Sequence, residues 1–191
     1  MRLSVVFTAI FIGCALPWRH GFKHPDVKTS RLSVSTSISS EESIHRGVLE
    51  KGSLSIEVLS SSSSSSGKSS SSPPIIFVHG SFHSAWCFTE NYHKYFNDIG
   101  HDCYAISLRG TKGTGLPLDQ VKSEVKSVGI EEHVSDVSFC IDEIIELNRK
   151  KTQTSALPIV VAHSFGGLIL MKLLETVDVR SKLSGVALMC R

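Results

Sequence analysis

The chain has 191 residues, a net charge of +2, 41% hydrophobic and 20% charged residues, which fits one globular domain with an appended leader. The charge is uneven: Arg2, Arg19, Lys23, Lys28 and Arg31 stand against Asp26 alone in residues 1–40, leaving 15 basic against 17 acidic side chains in the remainder. A domain without a basic surplus carries no electrostatic footprint for nucleic acid. The five cysteines (Cys14, Cys87, Cys103, Cys140 and Cys190) have neither close pairing nor metal-ligand spacing, so they read as thiols in a reducing compartment.

Leu3–Leu16 is an apolar run of 14 residues behind Arg2, shorter than the roughly 20 that a spanning helix needs and suited to a secretory signal. Trp18–Ser40 is basic, rich in Ser and Thr and almost free of acids, the composition of an organellar transit peptide. The domain begins near residue 41. SIHRGVLE and SLSIEVLS form strand-like pieces joined at Lys51-Gly52, which predicts a hairpin. From Ser60 to Ser72, seven consecutive Ser, Gly67-Lys68 and four more Ser lead into Pro73-Pro74. Such a tract buries no apolar surface, so it reads as a solvated loop, with a phosphorylated regulatory loop as the alternative.

Pro73–Trp86 reads PPIIFVHGSFHSAW. A short apolar strand, Ile75–Val78, ends in His-Gly and a loop of small and polar residues, where freed backbone N–H groups can stabilise an oxyanion. Phe88, Tyr92, Tyr95 and Phe96 follow at helical spacing. DCYAISLRGTKGTG supplies another strand and a glycine-containing loop. Over Glu131–Lys150, Val134, Val137, Ile141, Ile144, Ile145 and Asn148 lie on one helical face, while Asp136, Asp142, Glu143 and Glu146 are expected on the solvated side. Leu157–Ala162 reads as a parallel strand buried on both faces. Strands alternating with helices from Ile75 onward predict a mostly parallel sheet with helices on both faces, an α/β class.

The densest signal is IVVAHSFGGLIL, residues 159–170. A β-branched run meets a Ser among small residues and passes straight into a second apolar run. This predicts a sharp strand-to-helix bend that exposes Ser164 at the top of the sheet, above a helix N-terminus. Ala162 stands where the G-x-S-x-G pattern has its first Gly, and Gly166 and Gly167 keep the other side small. An ordinary strand-to-helix turn with an incidental Ser is the plainer alternative.

HGSFHSAWCF, LRGTKGTG and VVAHSFGG, in this order, resemble the α/β-hydrolase superfamily, over about Ile44 to the C-terminus. The first segment is similar to the oxyanion loop of plant methyl-esterase and hydroxynitrile-lyase relatives, the second to the wider esterase, lipase and epoxide-hydrolase branch. The resemblance implies a plant-type serine hydrolase: Ser164 as nucleophile, the N–H groups of Ser81 and Phe165 as oxyanion donors, and His79, Gly80, Phe82 and His83 lining the pocket. It implies no cofactor and no metal. The substrate class is a small-molecule ester or lipid-like compound. Dehalogenases and epoxide hydrolases of the superfamily use Asp at the elbow, so Ser164 points away from their chemistry.

In that family the triad acid and His follow later strands. Here SGVALMC reads as the sixth of eight strands and the sequence stops at Arg191, so the catalytic acid and His are expected to be absent from this chain. The expectation is therefore an incomplete, C-terminally truncated α/β-hydrolase domain over residues 41–191, weakly active or inactive on its own. Its alternatives are a non-catalytic fragment or pseudo-enzyme, and a hydroxynitrile-lyase-like enzyme. His163 is expected to point away from the Ser164 hydroxyl, and His93, His101 and His133 are expected at the surface. The last strand is expected to form an exposed edge through which the chain self-associates. The plant-like motifs tip the leader toward a plastid (chloroplast) transit peptide over residues 1–40, with secretion or a membrane anchor as alternatives.

Overall fold

The architecture follows from two strand patterns. The structure is a computed structural model that describes residues 44–52, 54–63, 72–111 and 128–189. The leader, the middle of the Ser tract, the Thr-Lys-Gly loop beyond Thr111 and Cys190 lie outside the described residues. Strands β1 (His45–Lys51) and β2 (Leu54–Ser61) form the hairpin expected around Gly52. Strands β3 (Ile75–Val78), β4 (Cys103–Ile106), β5 (Ile159–His163) and β6 (Gly185–Met189) are mutually parallel. The sheet order is β1-β2-β4-β3-β5-β6, with β2 antiparallel to β4.

Every residue of β3 and β4 is buried, because successive side chains enter opposite faces and both faces are covered. Ile76, Val78, Tyr104, Ile106, Val160 and Ala162 join one core, filled by helices α2 (Ile130–Thr152) and α3 (Phe165–Leu173) through Val137, Ile141, Ile144, Ile169 and Leu170. Ile75, Phe77, Cys103, Ala105 and Val161 enter the other core, covered by Ala85 and Phe88. Each fully buried Ile or Phe contributes about 1.5–3 kcal/mol relative to exposure, so the parallel strands anchor the fold.

The aromatic segment after β3 is less regular than its spacing predicts. It runs as a 3-10 turn (Ala85–Phe88), a π turn (Thr89–His93) and a short α1 (Lys94–Asp98). Phe88 stacks on Phe77 at 4.9 Å and Tyr92 meets the same ring edge-on, while Tyr95 faces solvent. Helix α2 spans the predicted segment with one more residue at its N-terminal end and two more at its C-terminal end, and α3 is followed by a short α4 (Val177–Ser181).

Three polar residues depart from expectation. Asp136 is buried rather than solvated: it takes two bonds from Arg109, at 2.8 and 2.9 Å, and one from Lys51 at 2.8 Å. Helical periodicity places a carboxylate on a face but says nothing of cations arriving from β1 and the β4 loop. His93 is fully buried, bonded to the Ser61 hydroxyl at 2.9 Å and stacked on Phe77. His133 is buried too, against Phe165. Of the three histidines expected at the surface, His101 alone is partly open, with its Nδ1 at 2.7 Å from the Pro73 carbonyl. No helix among the described residues is long and apolar enough to cross a membrane.

Candidate active site

Strand order places the site. The connection from β3 leads to β4 on one side, whereas the connection from β5 leads to β6 on the other. Where neighbouring parallel strands send their connections in opposite directions, a crevice opens at their carboxyl ends. The two segments at those ends are the His79–Ser84 loop and Ser164.

Ser164 is the bend itself. It has φ 51 and ψ −116, a region that costs an ordinary residue on the order of 1–3 kcal/mol. The surroundings over-determine it: its N–H donates to the Met189 carbonyl at 3.0 Å, and its carbonyl accepts from the N–H groups of Gly167 and Leu168 at 2.8 and 3.3 Å. The residue is exposed. Among the described residues no imidazole or carboxylate is hydrogen-bonded to its hydroxyl. Phe165 opens α3, where a backbone N–H has no partner within the helix.

The small residues around the bend answer to contact distances. A Cβ on Gly166 would lie 2.6 Å from the His79 carbonyl oxygen, 2.8 Å from that of Val78 and 3.0 Å from a Val78 methyl. The first turn of α3 thus rests on the end of β3. A Cβ on Gly80 would lie 2.9 Å from Nδ1 of His163 and 3.0 Å from Cβ of Ser164. Gly80 is therefore where the loop and the elbow touch. The His163 imidazole is turned against Gly80, edge-on to His83 with ring centroids 6.4 Å apart. Burial, with His83 adding to it, lowers its proton affinity.

Two anchors on the segment after β4 hold the His79–Ser84 loop. His79 is 1% exposed; its Nε2 lies 2.9 Å from the Leu108 nitrogen and its Nδ1 2.7 Å from the Gly80 carbonyl. Since Leu108 can only donate, Nε2 accepts and Nδ1–H donates, which defines the neutral tautomer. Burial pushes the His79 pKa down to about 4, so the ring stays neutral at pH 7. At the loop's far end the Ala85 N–H donates to Ser107 Oγ at 3.0 Å, and Ser107 donates to buried Glu57 at 2.6 Å. Arg46 pairs with Glu57 in turn. Between these anchors Ser81, Phe82 and His83 are exposed. Phe82 has φ 63 and a fully solvated side chain, and His83 Nδ1 lies 3.0 Å from the Ser81 carbonyl.

The structure thus brings His79, Gly80, His163, Ser164 and Phe165 to one place, with Phe82 and His83 at its open side. Sequence reading missed the Glu57–Ser107–Ala85 chain, the Leu108 N–H bond, the Arg109–Asp136 pair and His133. No motif marks them; each is a contact between segments distant in the chain. Among the described residues no cluster of three or more His, Cys, Asp or Glu side chains is arranged to hold a metal ion.

Residues 75–190 match the sequence profile described as the Alpha/beta hydrolase family. No curated protein matches the chain. Among solved structures, potato (Solanum tuberosum) epoxide hydrolase I is similar with a TM-score of 0.56 at 21% identity, covering 76% of this chain and 39% of that one. An epoxide hydrolase of Vigna radiata gives 0.55 at 19% identity, with the same 76% and 39%. A thioesterase domain from the curacin biosynthetic pathway gives 0.54 at 18%, covering 76% and 46%. At such identities the likeness is one of fold. The chain spans about two fifths of the length of the two epoxide hydrolases.

Proposed function

From the premise that the chain belongs to the Alpha/beta hydrolase family, we propose that it carries the nucleophile and oxyanion side of a serine hydrolase acting on ester or related acyl substrates. The observation that carries the reading is Ser164 itself: an exposed hydroxyl on a strained bend, φ 51 and ψ −116, pressed against Gly80. Strain of this kind holds a nucleophile clear of the strand it ends. In this reading the Ser164 Oγ attacks the substrate carbonyl carbon and gives its proton to water; the carbonyl oxygen, taking the electron pair, is held by the N–H groups of Ser81 and Phe165, and when the carbonyl re-forms the bond to the leaving alkoxide breaks and that group takes a proton from water. Neutral His79 keeps the loop in shape without competing for the proton.

The reading assigns no base. An unassisted Ser hydroxyl is a weak nucleophile at neutral pH, whereas an oxyanion site alone can retain roughly 10³–10⁴-fold catalysis over water. The 191-residue chain is therefore expected to acylate slowly and turn over little. Mass spectrometry after treatment with a fluorophosphonate tests the assignment: the adduct should map to Ser164 and vanish in Ser164→Ala. An adduct elsewhere, or one undiminished by the substitution, refutes it. Rapid p-nitrophenyl acetate turnover that depends on Ser164 would show that this chain supplies its own base. We further propose that residues 1–40 direct the chain to plastids; a fusion to a fluorescent protein that is secreted or diffuse in plant cells would reject this.

A further inference from the structure

We propose that Glu57, remote from Ser164, is a positioning residue for the substrate-facing part of the His79–Ser84 loop: by directing the Ser107 hydroxyl it makes that oxygen the acceptor that pins the loop's far end. This rests on the reading of Ser164 given above. Both ends of the loop are tied to successive residues beyond β4. His79 Nε2 accepts from the Leu108 N–H at 2.9 Å, and the Ala85 N–H donates to Ser107 Oγ at 3.0 Å. Near the first anchor, His79 Nδ1–H holds the Gly80 carbonyl at 2.7 Å. The Ser81 N–H lies in the same planar peptide as that carbonyl, so the oxyanion donor is set from the near end. Phe82 and His83 are not: among the described residues no hydrogen bond ties either of them to the sheet. Phe82 has φ 63, a conformation that persists only where the surroundings over-determine it. With the near end committed to Ser81, the far anchor supplies that constraint.

Ser107 has one hydroxyl proton and the Ala85 N–H can only donate, so the anchor exists only while that proton points elsewhere. Glu57 takes it at 2.6 Å, and Arg46 Nε pairs with the other carboxylate oxygen. A carboxylate only accepts, so with Glu57 in place the hydroxyl has one direction. Glu57 also accepts the Ser107 N–H through its own carbonyl, at 2.9 Å; side chain and backbone of Ser107 are both fixed from β2. Glu57, Ser107 and Ala85 are all buried, where a lost partner is not replaced by bulk water. An amide at position 57 reverses the arrangement without changing its volume. Arg46 can only donate, so it claims the amide oxygen and leaves the NH2 group facing Ser107. The hydroxyl proton then turns toward the Ala85 N–H, donor against donor, and the anchor opens.

The test measures hydrogen exchange at the Ala85 amide by 15N–1H NMR, and the concentration dependence of Ser164 acylation by p-nitrophenyl butyrate, both in the full chain. Glu57→Gln should speed Ala85 exchange and raise the half-saturating ester concentration, each roughly tenfold, as one hydrogen bond lost leaves a smaller competent fraction of the loop. The limiting acylation rate should stay near the wild-type value, because His79 still holds the Gly80–Ser81 peptide. Adding Arg46→Met frees the amide to turn its oxygen to Ser107, and should restore both quantities although it removes a further polar partner. Ser107→Ala should show the same two defects, and there Arg46→Met should repair neither. A half-saturation unmoved by Glu57→Gln, or a defect that Arg46→Met does not repair, overturns the role of Glu57 and leaves the nucleophile reading standing. If the wild type is not acylated at Ser164, the nucleophile reading falls and takes this proposal with it. Should Glu57→Gln not fold, Ser107→Ala against Ser107→Thr decides: equal half-saturation in the two, with and without the hydroxyl, overturns the anchor.

Discussion

Replacing Gly166 with Ala tests the contact that brings the elbow against β3. The added methyl would sit 2.6 Å from one carbonyl oxygen and 2.8 Å from another, where ordinary contact begins at 3.4 Å. The helix must therefore withdraw by up to 0.8 Å at that point. Both oxygens belong to the backbone of β3 and its exit, whose neighbouring residues are fully buried, so no rotamer change relieves the overlap. Overpacking of this kind costs about 1–3 kcal/mol, and a rigid neighbour puts it at the upper end. The better helix propensity of Ala returns about 1 kcal/mol, leaving a net loss of about 2 kcal/mol from a total of about 5–15. For a chain of this size that is roughly 4–8 °C in melting temperature. A displacement approaching 1 Å at a nucleophile costs up to about 10²-fold in rate, so Ser164 acylation should fall more steeply than stability. Gly185→Ala is the control, because its methyl would meet only Ile159, at 3.8 Å or more. Differential scanning calorimetry and fluorophosphonate kinetics on both variants decide. A Gly166→Ala chain that melts within about 1 °C of the wild type and reacts at an equal rate would refute the argument from close approach.

Asp136→Ala should destabilise by about 2–3 kcal/mol in urea unfolding, below the about 3–5 kcal/mol for breaking a fully buried pair, because Arg109 and Lys51 are each about a quarter exposed, at 24% and 28%. Burial pushes this carboxyl up, but bonds from Arg109 and Lys51 outweigh it and hold it below its ordinary value. Its contribution is present above about pH 4 and disappears as pH falls through the lower folded value; an unchanged acid midpoint in the variant would contradict this. Burial also drives His79 and His93 down to about 4. The unfolded chain therefore takes those protons first, and stability should be full above about pH 6.5 and decline toward pH 4. His93→Gln should reduce that loss, and equal urea midpoints at neutral and acid pH would reject it. Among the described residues strand β6 is bonded to β5 on one side alone, and Leu168 and Met171 are exposed on α3. We expect concentration-dependent self-association on size exclusion with light scattering; a monodisperse monomer at high concentration would remove the open edge as its cause.

Local chemistry by itself determined the main elements. Short apolar runs marked β3, β5 and β6, strand-like pieces meeting at Lys51-Gly52 marked the hairpin, and the 3.6-residue period marked α2. The A-H-S-F-G pattern located the bend at Ser164, because small residues around a Ser between two apolar runs leave the chain few other courses. Tertiary structure alone decided what surrounds that bend. Asp136 is solvated by periodicity and buried in fact, since its cations come from β1 and the β4 loop. His79 is a loop histidine until Leu108, twenty-nine residues on, supplies the N–H that defines its tautomer. His133 meets Phe165 only because α2 and α3 pack on the same face of the sheet. Periodicity records which way a side chain leaves its own element; which charge, amide or ring it meets depends on strand order, and strand order is set by the whole chain at once.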